Sequence, residues 1–418
     1  MLSDGFMHII KDLKRGRLSH DSVSLNNDSI VTTGFLTEAL KNFVETQRLT
    51  EALNAVEPKH QGYWELKKGI KSFLDNMDWR VYTPIQYPFK ETDSTAFKLL
   101  LQKRLYESNC IAFSDTIINK VLLMNAIKKY QKKTGLKQDG IISASLIHQL
   151  GTSDLERFKQ IAITLDKYKL MPETMPEKYI WVNLPGYYLR LWDHDTVSFE
   201  SKIVCGKPET RTPLLNSYIT DMIIYPTWTV PTSIILKQEY LPKLKSDPNY
   251  LSTLNLHLVN RKGETINPDT VDWNKYSKGI PYSIVQSSGD DNALGVMKFN
   301  FSNKYAVYLH DTNQRYLFGK TARALSHGCV RVQEWEKLAF YIARNDSMNL
   351  KPGEKLSYTV DKIKYWLAQK EKKTIVLKNK MPLFITYLTC EGKDGRIKFY
   401  DDIYGEDKVK EKTFLVNN

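Results

Sequence analysis

Near residue 178 the hydrophobic pattern of this 418-residue chain changes period, and that change divides what each half can fold into. Before it, apolar residues recur every three to four positions, as on a helix face; after it they alternate, as on a half-buried strand. Leu36, Leu40, Phe43 and Val44 mark one helix. "LTEALNAVEP" predicts a second, with Thr50 as N-cap and Pro58 as stop, and "YWELKKGIKSFLDNM" a third. Residues 97–151 predict a compact helical unit: the amphipathic "AFKLLLQKRLYES", a long helix from Asp115, Gly135 at its C-terminal cap, an Asp139-Gly140 turn, then a short helix. Residues 153–169 return to helix, and Pro172 and Pro176 mark a linker.

From 178 the segments "KYIWVNLPGYYLRLWD", "TVSFESKIVCGK" and "DMIIYPTWTVP" are alternating, β-branched and aromatic, with turn residues between them. "VMKFNFSNKYAVYLHDT" continues them as a hairpin about Ser302-Asn303. A polar, Tyr-, Asn- and Lys-rich stretch, 238–290, interrupts the strands; a segment that long is either a functional lid or a disordered insertion. "QEWEKLAFYIARN" and "DKIKYWLAQKE" predict helices, and "KMPLFITYLTCEGKDGRIKFYDDIYG" a closing hairpin about Lys393-Asp394-Gly395. The fold class is therefore α+β, helical first and mainly β afterwards.

With 42% hydrophobic and 26% charged residues the composition is that of a globular protein, long enough for two or three domains. The net charge of +13 fits either a solvated basic surface or an anionic polymer as partner. Basic residues are scattered, and neither zinc-finger spacing nor an aromatic RNA-binding strand is present, which argues against nucleic acid. No run of ~18 apolar residues predicts a transmembrane segment. Lys11, Lys14, Arg15 and Arg17 precede no apolar stretch, so no export signal is read in these residues. Cys110, Cys205, Cys329 and Cys390 form no CxxC pair, so neither a structural zinc site nor a disulfide framework is expected.

The chemistry concentrates in "YAVYLHDTNQRYLFGKTARALSHGCVRV". A strand leads out through Tyr308 and His310, and Ser326-His327-Gly328-Cys329 returns beside it, placed by its pattern just before a helix. A thiol becomes a nucleophile when an imidazole takes its proton and a positive environment stabilises the thiolate. Gly328 allows tight backbone approach, so nearby amides can face an oxyanion. Tyr308 shares a strand face with His310, and Arg331 supplies a cation suited to a carboxylate. Lone cysteines are more often small apolar core residues, and Cys110, Cys205 and Cys390 read that way.

His310 followed by Ser326-His327-Gly328-Cys329-Val330-Arg331 resembles the signature of the L,D-transpeptidase (YkuD-type) catalytic domain. The His-before-Cys order sets it apart from papain-like and NlpC-type wall hydrolases. "YPTWTVPTSI", "VCGKPETRTPLLNS", "NALGVMKFNFSN" and the closing hairpin resemble the large, multidomain, periplasmic branch, and 97–151 a peptidoglycan-binding helical module in which Tyr106 and Tyr130 are the candidate sugar-stacking aromatics. The resemblance implies a helical scaffold over 1–96 plus 153–176, a binding-like module over 97–152, and a catalytic domain over 178–410 with 238–290 as a substrate-capping insertion. It implies Cys329 as nucleophile, His310 as base, and Asp311 orienting that base through its backbone carbonyl. His327 and Gly328 would flank the oxyanion hole. Tyr308, Arg331, Ser326, Trp228 and Arg323 would contact substrate, and Trp273 and Tyr276 would cover the cleft.

The implied reaction is 3→3 crosslinking of peptidoglycan through a Cys329 thioester on a tetrapeptide stem. An L,D-carboxypeptidase and a non-catalytic wall-binding scaffold are the alternatives. The resemblance further implies no cofactor or metal, carbapenem-type β-lactams as covalent inhibitors, a monomer, and a periplasmic or envelope location. A disulfide between Cys205 and Cys390 is left open.

Overall fold

The structure, a computed structural model, describes residues 2–18, 31–85, 95–113, 116–237, 240–277 and 279–416. Parts of the expected scaffold (19–30 and 86–94), the expected start of the long helix at Asp115 and the first residues of the expected insertion (238–239) lie outside them. The chain forms two compact units: Met1–Pro176 with Asn183–Gly186 and Thr386–Asn418, and Glu177–Val182 with Tyr187–Ile385.

The helical unit begins with α1 (Leu2–Arg15), α2 (Thr33–Thr46), α3 (Leu49–Val56) and α4 (Gln61–Asp75). The expected N-cap Thr50 lies inside the first turn of α3, because Arg48 occupies the cap without a side-chain bond. Next come α5 (Thr95–Glu107), α6 (Lys120–Thr134), α7 (Ala144–Gly151) and α8 (Asp154–Lys169). Asn119 caps α6, whose far end is closed by Gly135 at φ 72°, where a side chain would be strained. Ser153 and Glu156 form a reciprocal capping box on α8. Helices α5–α7 bury their own core of Phe97, Leu101, Leu105, Ile127, Tyr130, Leu146 and Ile147. Tyr130 is therefore closed to a sugar ring, whereas Tyr106 is exposed beside Phe113, with ring centroids 5.3 Å apart.

The β-rich unit opens with β1 (Lys178–Asn183), β2 (Tyr188–Asp193), β3 (Thr196–Gly206), β4 (Leu215–Ile224) and the two-residue β5 (Trp228–Thr229). The expected insertion is folded. It contains α9 (Thr232–Lys237), α10 (Tyr240–Ser246), β6 (Leu256–Val259), β7 (Thr265–Ile266) and β8 (Ser283–Gln286). Its sheet runs β5-β8-β6-β7 over a separate core that includes Leu244, Leu251, Leu258 and Ile284. Trp273 was expected over the cleft. It lies instead inside this core, 3% exposed, with its indole N–H on the Pro268 carbonyl, and Tyr276 packs against it.

The main sheet is completed by β9 (Met297–Phe301), β10 (Leu309–His310), β11 (Ala324–Ser326), β12 (Val330–Val332) and, after α11 (Trp335–Met348) and α12 (Val360–Ala368), by β13 (Lys373–Thr386). Its order is β11-β3-β12-β10-β9-β4-β13-β1-β2, and β2 also pairs with β3, so the sheet closes on itself. In β9 the residues Met297, Phe299 and Phe301 turn inward while Lys298 and Asn300 take the other face.

The chain ends with β14 (Cys390–Lys393), β15 (Arg396–Phe399) and α13 (Glu406–Val416). Asp394 and Gly395, both at positive φ, make the tight turn of the closing hairpin. That hairpin packs on α4, so the residues from Thr386 onward, expected in the catalytic domain, belong to the helical unit.

Candidate active site

Two short strands bring the candidate pair together. β10 runs parallel to β12 with Leu309 opposite Val330 and His310 opposite Arg331. The Val330 N–H donates to the Tyr308 carbonyl at 3.1 Å, which fixes Cys329 beside Tyr308 by main-chain bonds alone. Cys329 thus enters a strand. The helix expected directly after it begins only at Trp335, so a helix N-terminus does not supply the thiol's positive environment.

The loop before Cys329 is braced from within. Gly328 sits at φ 120°, a conformation other residues rarely adopt. The Ser326 hydroxyl donates to the Cys329 carbonyl at 2.6 Å and accepts from the Gly328 N–H at 3.1 Å. Thr210 donates to the Ser326 carbonyl at 3.0 Å and Thr212 to the Gly328 carbonyl at 2.8 Å, while Thr212 accepts from the Gly206 N–H. Ser326 was expected on substrate, but both its bonds are spent on this loop. Gly328's amide, expected at an oxyanion, is likewise occupied. Arg323 was also expected on substrate; its guanidinium donates to the carbonyls of Ile203, Lys320 and Tyr187 instead. His327 is exposed.

Cys329 is half-buried, unlike Cys110, Cys205 and Cys390, which are buried; all four cysteines are free. The hydroxyl and the main chain of Tyr308 both act on Cys329 in the direction that favours its thiolate. Trp228 acts in turn on the Tyr308 hydroxyl, so Trp228 joins the site through Tyr308. Burial raises the thiol above its ordinary range, and Lys298 and Arg331 pull it back down. Arg331 donates to Gln314 Oε1 at 2.7 Å, and its buried Nε has no partner.

His310 is 4% exposed, and its ring lies edge-on to Tyr308 at 5.6 Å. Burial, then the Arg331 charge, push it down to about 3, so it is neutral at physiological pH. Main-chain groups of Asp311 and Leu294 favour its protonated form, as carbonyls do, although none bonds Nδ1, which is buried without a partner. The Asp311 carboxylate points elsewhere: it accepts from the Val296 N–H at 3.1 Å and pairs with Arg315 at 2.7 Å.

Three residues escaped the sequence reading. Thr210 and Thr212 lie in "GKPETRTP", which shows only turn chemistry. Lys298 reads as one polar position of an alternating strand. The register places it opposite His310, with Nζ 4.0 Å from the centroid of the Tyr308 ring. No sequence signal fixes that register before the strands are paired.

Residues 177–352 match the family of L,D-transpeptidase catalytic domains, and residues 1–70 match a scaffold domain family. A putative L,D-transpeptidase of Haemophilus influenzae is 32% identical over 250 residues, 60% of this chain and 48% of that protein. The chain therefore spans about half the length of that curated relative. Among solved structures, the catalytic domain of the Enterococcus faecium L,D-transpeptidase is 16% identical, covering 51% of this chain and 98% of its own, at a TM-score of 0.22. An L,D-transpeptidase from Stackebrandtia nassauensis is 14% identical, covering 74% and 96%, also at 0.22. The order His310, then Ser326-His327-Gly328-Cys329, falls inside the matched region, and the chain thus carries, over residues 177–352, an L,D-transpeptidase catalytic domain of the YkuD type.

Proposed function

We propose that this chain crosslinks peptidoglycan stem peptides 3→3 through a Cys329 thioester. The observation that carries the reading is the half-buried Cys329, whose thiolate Tyr308 favours, at the start of a strand laddered to the one that bears neutral His310. His310, uncharged at physiological pH, is free to take the thiol proton. The sulfur attacks the carbonyl carbon of the L-centre at stem position three. The Tyr308 hydroxyl and the Cys329 amide face the resulting oxyanion. The intermediate collapses by breaking the C–N bond to the terminal D-alanine, whose amine takes the proton back from His310. An amine of a neighbouring stem then attacks the thioester and releases Cys329; water in its place makes the enzyme an L,D-carboxypeptidase.

Arg331, with its unpartnered Nε, receives a substrate carboxylate. Trp228 lines the cleft, and the Asp311 carbonyl orients His310. Thiol acyl transfer of this kind needs no metal or organic cofactor. The substrate places the protein in the periplasm or envelope, and the same thiol is the site at which a carbapenem would acylate it.

The test is intact mass after incubation with a carbapenem, beside Cys329→Ala. A single covalent adduct on the wild type and none on the variant is expected, with muropeptide analysis then separating crosslinking from trimming. An adduct that survives in Cys329→Ala, or none on the wild type, defeats the reading, and the second outcome favours a wall-binding scaffold.

A further inference from the structure

Taking the thiol proton turns neutral His310 into an imidazolium, a cation that its burial and the Arg331 charge disfavour. A thiolate forming at Cys329 therefore needs further positive charge nearby, because an anion in a partly desolvated site is costly. Two cations act on Cys329: Lys298 from β9 and Arg331 from β12. Arg331 already donates to Gln314. Lys298 is half-buried and has no carboxylate within ion-pairing distance among the described residues. Asp221 on β4 draws it electrostatically, but that carboxylate accepts from Asn300 at 2.6 Å and from Thr220 at 2.8 Å. The Lys298 ammonium lies instead over the ring face of Tyr308, the residue whose hydroxyl acts on Cys329 electrostatically. An unpaired, partly desolvated ammonium opposes folding unless an anion or an aromatic face compensates it.

We propose that Lys298 is a positioning residue of the reaction: its ammonium, carried on the Tyr308 ring opposite His310, is the fixed counter-charge of the Cys329 thiolate. The proton leaves the sulfur for His310, the electron pair stays on the sulfur, and Lys298 stabilises that charge without touching the substrate. The groups acting on the thiol are then Tyr308, with His310 edge-on to its ring, Lys298 from β9 and Arg331 from β12, with Tyr316 acting on Arg331 and Asp221 on Lys298. The inference rests on Cys329 being the nucleophile of the proposed function.

The experiment follows iodoacetamide alkylation of Cys329 by peptide mass mapping from pH 5.5 to 9.5, in full-chain wild type, Lys298→Met, Lys298→Gln and Lys298→Arg. Carbapenem acylation of each is measured in parallel. Alkylation reads the thiolate directly and needs no wall substrate. Losing the charge is expected to move the Cys329 profile up by about one pH unit, so that alkylation below the midpoint slows about tenfold. Lys298→Arg keeps the wild-type profile, and acylation falls in step with alkylation. Met retains the apolar stem and Gln a polar end, so a packing defect in one is separated from loss of charge in both. Profiles of Met and Gln variants that overlay the wild type overturn the proposal, as does an Arg variant that follows them. If the profiles shift as expected but no variant, nor the wild type, is acylated, the proposed function fails while the role of Lys298 stands.

Discussion

Cys329 and Cys390 are both thiols whose ionisation burial opposes, yet they meet different surroundings. Cys390 is fully buried in the helical unit, its thiol directed at the Gln160 carbonyl 3.7 Å away and pushed up to about 12, first by burial. A lysine is near it too, but Lys167 is matched by Asp407 at 2.5 Å, and Asp407 in turn accepts from Thr389. Cys329 is half-buried, and its two cations answer to no carboxylate at ion-pairing distance among the described residues. On the role proposed for Lys298, proximity of a lysine is not what prepares a thiol for chemistry. What counts is whether the lysine's charge is already spent.

Three substitutions bear on this contrast. The largest effect is expected for Asp407→Asn, which leaves Lys167 buried and uncompensated. Denaturant unfolding should show a loss of about 3–5 kcal/mol, and Cys390 should stay unreactive to alkylation while the protein is native, because burial is the first cause of its high value. Rapid alkylation of native Cys390 in that variant would mean that charge matters more than burial there.

Next is the pH dependence that His310 contributes. Its folded value of about 3 lies below the ordinary 6.5, so on acidification the unfolded chain takes the proton first. Stability is complete above pH 6.5 and drains away as pH falls towards 3. Between pH 7.5 and 4.5 the wild type should lose about 3 kcal/mol more than His310→Gln, by unfolding measured at both values. His60 in the helical unit, down at about 4 through burial, acts in the same direction and is common to both proteins. Equal losses would show that His310 is not buried neutral.

The smallest effect belongs to Thr212→Val. It strands the Gly328 carbonyl and the Gly206 N–H, at about 1–3 kcal/mol, and should slow Cys329 acylation more than it lowers the melting temperature would suggest. Unchanged acylation would show that the brace does not set the nucleophile's position.

Much of this was legible beforehand, for physical reasons that differ by region. The period change at 178 marks the β-rich unit because pleated and helical faces repeat differently. Gly135 closes its helix as expected because few residues tolerate that backbone. Tyr308, His310 and Cys329 come together because one strand leaves the site and another returns parallel to it. Long-range side-chain choices were not legible. Ser326 and Arg323 look as ready for substrate as Arg331 does, and only the folded loop shows their polar atoms already used. Trp273 looks like a cleft aromatic until its insertion is seen to possess a core of its own. Lys298 was invisible because strand register is a property of two segments, not one.

The parallel ladder between β10 and β12 carries one more consequence. Because the Val330 N–H and the Tyr308 carbonyl hold the strands of Cys329 and His310 in register, the number of residues between the two does not by itself set where they meet. Residues 319–322 are exposed, so lengthening the connection there leaves the ladder intact. A genome search that demands a fixed His-to-Cys interval would discard relatives whose reacting groups coincide in space, whereas one that scores the two strands and lets the interval float would retain them.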